Sequence, residues 1–215
     1  VFADDYTTWD PTRYENYPTP WRDTSGNGTY GYPIASSDGT KLRVHLHTAA
    51  GIRKVMSFGP KFTVAGLPER YVNSARIEFR LRADVMRGYK MAPLLWPLSE
   101  VWPRDGEIDF PEGDFTGGTV TAFMHRQGGT WGGDQDAYTT TAKHTDWHTY
   151  RIEWIDGVSC EFFVDGVSIG RSTSRVPNTP MRWQFQLETS LSGITPDPAT
   201  QGYVEIDWLR VSVPS

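Results

Sequence analysis

One cysteine in 215 residues leaves no intrachain disulfide, so stability has to come from a buried core. A chain of this length can build one without covalent staples. Cys160 stands in Val158-Ser159-Cys160-Glu161-Phe162, where apolar and polar residues alternate, and reads as a buried inert thiol rather than a nucleophile. No apolar run approaches the roughly 20 residues of a membrane helix, and no charged-then-apolar leader opens the chain at Val1. Basic excess is missing as well, since 21 Lys and Arg face 26 Asp and Glu for a formal net charge of −5. That balance argues against a nucleic-acid partner, which needs a basic stripe for the phosphates. It also weighs against a strongly anionic glycan unless a local basic patch overrides the global count. Amphipathic helical periodicity is nearly absent, as are repeats, linkers and low-complexity tracts. What remains is β-rich runs parted by turn residues, which predicts an all-β sandwich with residues 1–215 as a single domain.

The most informative stretch is Gly106-Glu107-Ile108-Asp109-Phe110-Pro111-Glu112, with three carboxylates in six positions of an apolar segment. As a strand it places Glu107 and Asp109 on one face and Ile108 on the other. Strict alternation would then put Pro111, not Glu112, beside them. A β-bulge at Phe110-Pro111 restores Glu112 to the Glu107 face, and a bulge is one of the few places inside a sheet that tolerates proline. Three acids in a row suit glycoside hydrolysis with retention, where two carboxyls about 5–5.5 Å apart act as nucleophile and acid/base. Like charges so close cannot all ionise, so one glutamate is expected to stay protonated near neutral pH. On spacing alone, a solvated acidic edge strand or a cation site built from the same carboxylates remains an equal alternative.

These residues, preceded by glycine and with Trp102-Pro103 just upstream, resemble the active-site strand of glycoside hydrolase family 16 in its longer, bulged form. Other segments are similar to the same family: Tyr71 with Ser74-Ala75-Arg76-Ile77-Glu78-Phe79-Arg80, His125, Trp147-His148-Thr149-Tyr150 with Glu153-Trp154, Phe163-Val164-Asp165-Gly166, and the closing Ile206-Asp207-Trp208-Leu209-Arg210-Val211. The resemblance implies a curved antiparallel jelly roll with a catalytic cleft on its concave sheet. It also implies Glu107 as nucleophile, Glu112 as acid/base, Asp109 as their assistant and Trp102 as a sugar-stacking platform. The Asp207 region matches one that often helps hold a structural calcium, the one metal expected, and the reaction needs no cofactor. Phe110-Pro111 and His125-Arg126-Gln127-Gly128-Gly129 depart from the family pattern, which bears on the substrate more than on the reaction class.

The rest of the chain offers further candidates. Trp96 fits either the cleft or the core. Alternation in Thr119-Val120-Thr121-Ala122-Phe123-Met124-His125 sends His125 to the cleft if Val120, Ala122 and Met124 are core; a structural histidine bonded to backbone is the plainer reading. The glycine-rich Gly128–Gly133 loop is expected to cover a bound chain, with Trp131 as a second platform. Arg182, Gln184, Gln186 and Glu188 alternate with Trp183, Phe185 and Leu187, so Gln184 and Gln186 are candidate ligands for sugar hydroxyls, although any half-buried sheet shows a polar face. Arg76, Glu78, Arg80 and Arg82 read as a solvated face or as cleft lining. His45 and His47, two apart on a strand, lack a third zinc ligand nearby and read as a solvated or cleft-rim pair. Residues 1–33 read as an ordered aromatic arm packed on the sandwich. Within them Gly26-Asn27-Gly28-Thr29-Tyr30-Gly31 has the letters of a dinucleotide turn without its strand-turn-helix setting, and Asn27-Gly28-Thr29 is a glycosylation sequon. Hairpins are expected at Asp156-Gly157 and Asp165-Gly166.

The expectation is therefore a secreted, monomeric, endo-acting retaining glycosidase. It would hydrolyse a β-linked polysaccharide, foremost a β-1,3-containing glucan, with no nucleic-acid or membrane partner. Secretion follows from a substrate too large to enter a cell. The alternatives are a carbohydrate-binding module, which would not require all three acids, a jelly-roll polysaccharide lyase relying on Tyr, His and Arg, and a transglycosylase using the same covalent intermediate.

Overall fold

The computed structural model describes residues 1–17 and 21–214, and among these the only helical element is a 3-10 turn at Pro11–Arg13. The strands form two sheets packed face to face. In the outer sheet, neighbours follow the order Val167–Ser172, Ser159–Val164, His148–Ile155, Ser74–Ala83, Gly202–Ser212, Leu42–Ala49, Ile52–Lys54 and Gly28–Thr29. In the inner sheet they follow Gln135–Lys143, Thr119–His125, Glu107–Asp114, Tyr89–Met91, Met181–Thr189, Met56–Pro60 and Tyr14–Asn16. Leu94–Pro97 also bridges the Glu107–Asp114 and Met181–Thr189 strands, and Tyr71–Val72 lies against the latter. Pairing is antiparallel except where Gly28–Thr29 runs parallel to Ile52–Lys54. This is a curved β-sandwich of the jelly-roll kind.

Period-two patterning decides which face is core. In Ser74–Ala83 the side chains of Ala75, Ile77, Phe79 and Leu81 are buried, and Phe79 meets Trp183 and Phe185 of the other sheet with ring centroids 5.3 and 5.1 Å apart. Each such buried ring contributes about 1.5–3 kcal/mol through apolar area alone. The opposite face of this strand lies outside the sandwich, away from the cleft. There Arg80 pairs with Asp207 and Arg82 with Glu205, each at 2.7 Å, and Arg76 and Glu78 pair with each other at 3.5 Å. The solvated reading of those charges holds. His45 and His47 share that partly exposed outer face, stacked on each other and with His45 on Tyr203, so they are a solvated pair and not at the cleft rim. Cys160 is fully buried. Turns at Asp156-Gly157 and Asp165-Gly166 join antiparallel strands as expected.

The first 33 residues contribute strands to both sheets rather than lying on them as an arm. Phe2–Asp4 pairs with Gly202–Ser212, Tyr14–Asn16 edges the inner sheet beside Met56–Pro60, and Trp9 packs on Tyr14 and Phe58. Residues 18–20 of the Tyr17–Trp21 stretch lie outside the described residues. The Gly26–Gly31 stretch is a bend at residues 26–27 running into the short Gly28–Thr29 strand and tied to Asp23, whose Oδ1 accepts from the Gly28 N–H at 2.9 Å; no helix follows it, and a Cβ at Gly28 would strike Asp23 and Val55. Among the described residues no helix is long and apolar enough to cross a membrane.

Candidate active site

Register along the Glu107–Asp114 strand shows how the acids meet. Glu107 stands opposite His125 and Asp109 opposite Phe123, but the next pair is Glu112 with Thr121, so three steps on one strand match two on the other. The extra residue is the bulge, and the Phe110–Pro111 peptide within it is cis. Phe110 is driven into the core against Tyr150 and Phe162, with centroids 5.3 and 5.5 Å away, while Glu112 returns to the face of Glu107 and Asp109. All three acids then line one cleft of about 500 Å³ on the inner sheet.

Lys90 enters from the neighbouring strand, where it is paired in register with Glu188. Its ammonium donates to Glu112 Oε1 at 2.7 Å and lies 3.9 Å from Glu188 Oε1. Burial draws the Lys90 ammonium down, but Glu112 and then Glu188 more than offset it, so the charge is held. Glu188 in turn accepts from the Tyr30 hydroxyl at 3.0 Å and the Gln186 amide at 3.1 Å. His125 occupies the other side. Its Nδ1 can only donate to the Gly132 carbonyl at 2.8 Å, which leaves Nε2 facing the acids, 3.5 Å from Asp109 Oδ2 and 3.9 Å from Glu107 Oε2. Burial pulls His125 down, yet the Asp109 carboxylate facing it at 3.5 Å raises it overall, which favours an imidazolium beside Asp109.

Glu107 is pushed well above the usual carboxylate range, first by burial, then by the charges of Asp109 and Glu112. Glu112 is raised by burial and by Asp109, with Lys90 countering in part. Both glutamates thus hold their protons to higher pH than an ordinary carboxyl does, the direction in which crowded like charges act. Glu107, Asp109 and His125 also have donor atoms within 4.8 Å of one another and are the one group of three among the described residues that could hold a metal ion.

Trp102, Trp96, Gln184 and Gln186 all line this cleft beside the acids and His125. Trp102 is 42% exposed, edge-on to His125 at 5.8 Å, and rests on Gly132, where any Cβ would strike its ring. The Trp96 indole donates to Glu100 Oε2 at 2.6 Å, which fixes it as wall rather than core. Trp131 is not brought into the cleft lining; it is 66% exposed with its ring over Gly133. The glycine loop is not a free cover either. Asp134 accepts from Arg126 and Arg175, and the Gly132 carbonyl holds His125, so the loop props Trp102 and His125 from below. Asp207 is not gathered into an acidic cluster: its carboxylate accepts from Arg80 at 2.7 Å on the outer sheet, which removes the residue-based ground for calcium there. Sequence reasoning missed Lys90, although a lone lysine in the apolar Gly88-Tyr89-Lys90-Met91-Ala92 run was a signal that it had a partner. It also missed Gln135, Thr24 and Tyr17, which only folding brings to the cleft.

The family model described as glycosyl hydrolases family 16 matches residues 30–210. Among solved structures the fold resembles a laminarinase from Rhodothermus marinus (TM-score 0.78, 20% identity, covering 98% of this chain and 95% of that one). It is similar to the catalytic domain of an endo-1,3-beta-glucanase (laminarinase) from Thermotoga petrophila (0.77, 19%, covering 100% and 98%) and to a Bacillus licheniformis beta-glucanase (0.77, 15%, covering 99% and 98%). No curated protein matches the chain.

Proposed function

The chain belongs to glycosyl hydrolases family 16, and on that premise we propose that it is an endo-acting retaining glycosidase that hydrolyses a β-linked polysaccharide with a β-1,3-containing glucan backbone. The observation that carries this reading is the bulge that turns Glu107, Asp109 and Glu112 to one cleft wall, with Lys90 set against Glu112.

In the first step Glu107 attacks the anomeric carbon while the Glu112 carboxyl gives its proton to the departing glycosidic oxygen, leaving a glycosyl ester on Glu107. In the second, Glu112 takes a proton from water, the water oxygen attacks the same carbon, and the Glu107 carboxylate leaves. The upward push is stronger on Glu107, which has to be ionised to attack. Positive charge developing at the anomeric carbon stabilises that anion in the oxocarbenium-like transition state. Lys90 does the same for Glu112 once its proton has gone. Asp109 and the His125 imidazolium form a pair beside the nucleophile that holds its position. On this reading the enzyme is secreted and works as a monomer, with Trp102 and Trp96 stacking sugar faces and Gln184 and Gln186 bonding hydroxyls.

The test is product analysis on β-1,3-glucan, mixed-linkage glucan and galactan with the wild type and Glu107→Gln. Internal cleavage, a first product whose anomeric proton reports retained configuration by NMR, and loss of turnover in a variant that melts normally are expected. Normal turnover by Glu107→Gln would sink the proposal.

A further inference from the structure

A second pocket opens off the catalytic cleft on the same sheet, lined by Glu15, Tyr17, Ser57, Arg70, Tyr71, Arg182 and Gln184. Tyr17 and Gln184, whose side chains are hydrogen-bonded at 3.3 Å, line both, so the two are adjacent. Along the sheet the pocket lies at the Met181–Thr189 strand and its neighbours Tyr71–Val72 and Met56–Pro60, two to three strands from the acids. With strands about 4.8 Å apart, that is roughly 10–15 Å, a few sugar residues along a bound chain.

Its two arginines are held differently. Arg182 is nearly buried and satisfied: it donates to Glu100 and, at 2.7 Å, to the Tyr71 hydroxyl. Arg70 has no carboxylate partner among the described residues, and its buried Nε bonds to nothing. The one acid lining the pocket, Glu15, turns to Lys61 at 3.6 Å. Burial and the like charge of Arg182 pull the Arg70 guanidinium below its usual value. Two features of the chain nevertheless keep it there. Arg70 takes φ +77°, a left-handed conformation that costs a bulky residue and suits Gly or Asn. At Gly59 a Cβ would strike the Trp183 carbonyl first and then stand 2.7 Å from Arg70 Nη2, so the glycine makes room for the neighbouring strand and the guanidinium together. A half-buried guanidinium whose Nε has no partner, held on a left-handed backbone beside the cleft, is suited to an anion from outside.

We propose that this pocket is a subsite for an anionic substituent, a carboxylate or a sulfate ester, on the glycan that the cleft binds, with Arg70 as the specificity-determining residue. This rests on the cleft being a glycan site, and it makes the substrate an acidic or acidically decorated β-glycan. Arg70 thereby supplies a local positive charge within a chain of net negative charge.

The test uses the full chain carrying Glu107→Gln, with and without Arg70→Asn. Calorimetric titrations employ neutral laminarin, C6-oxidised laminarin bearing carboxylates, and laminarin sulfate. At least one charged polymer is expected to bind roughly tenfold or more tighter than the neutral one, as a charge-assisted pair would give. The preference should shrink with added salt and vanish with Arg70→Asn. Which charged polymer wins identifies the anion. Arg70→Asn should melt no lower than its parent, because asparagine accepts the backbone conformation and relieves the repulsion; a fall in melting temperature would make Arg70 a structural residue and overturn the proposal. A preference that is absent, or that survives Arg70→Asn, would overturn it too. Arg70-dependent binding by a wild type that releases no reducing ends would leave the subsite standing and refute the glycosidase. Cleavage of neutral laminarin without an Arg70-dependent preference would do the reverse.

Discussion

Lys90→Met tests the charge balance of the cleft. The ammonium lies 2.7 Å from Glu112 Oε1 with its side chain 7% exposed, and Glu112 keeps a quarter of its own surface. A hydrogen bond between charged groups contributes about 1.5–3 kcal/mol, and the partial exposure of Glu112 places this one in the lower half of that range. Removing it favours the protonated acid by roughly ten- to fortyfold. On the proposed mechanism Glu112 must carry its proton to start the reaction, so the basic limb of the kcat/KM profile should move to higher pH. It must lose that proton for the second step, so water attack should slow and the glycosyl-enzyme accumulate, visible as a burst on an activated aryl glycoside. Methionine fills the space, and the stranded carboxylate can neutralise itself. Loss of stability should therefore be largest at high pH and shrink as pH falls through the range where Glu112 protonates. A basic limb that stays in place or moves to lower pH would refute the pairing as the control on Glu112.

Two further changes probe the frame around the acids. Phe110→Ala removes the fully buried ring that the bulge drives between Tyr150 and Phe162, and should cost about 3–5 kcal/mol, or roughly 6–20 °C in melting temperature; a loss under about 1 kcal/mol in chemical denaturation would mean that the ring is not packed as described. His125→Gln tests the pair with Asp109. Because the folded protein raises His125 above 6.5, the wild type's advantage should be full below that value and fade as pH rises through the raised one, so denaturation curves of the two proteins should separate at acid pH and converge at alkaline pH.

Much of this could be read from one dimension. Period-two alternation in Ser74–Ala83 and Thr119–His125 fixed which side chains are core, because a strand has only two faces and one is buried. The bulge was legible because a third acid one step out of phase, next to a proline, rejoins the other two when the strand gains a residue. Trp131 and Asp207 misled for one shared reason: an exposed ring and a carboxylate look functional until their neighbours are known, and those neighbours are Gly133 and Arg80. Lys90 and Arg70 are the converse case. Each is an ordinary basic residue in the sequence, and only the folded chain shows one set against Glu112 and the other with its Nε unpartnered among the described residues.

The sequence by itself determined the all-β class, the inward and outward faces and the clustering of Glu107, Asp109 and Glu112, since these depend on spacing along one strand. Tertiary structure alone decided what surrounds those acids, because electrostatics acts through space: Lys90 lies 22 positions before Glu112 and Glu188 lies 76 after it, yet the three charges share one wall of the cleft.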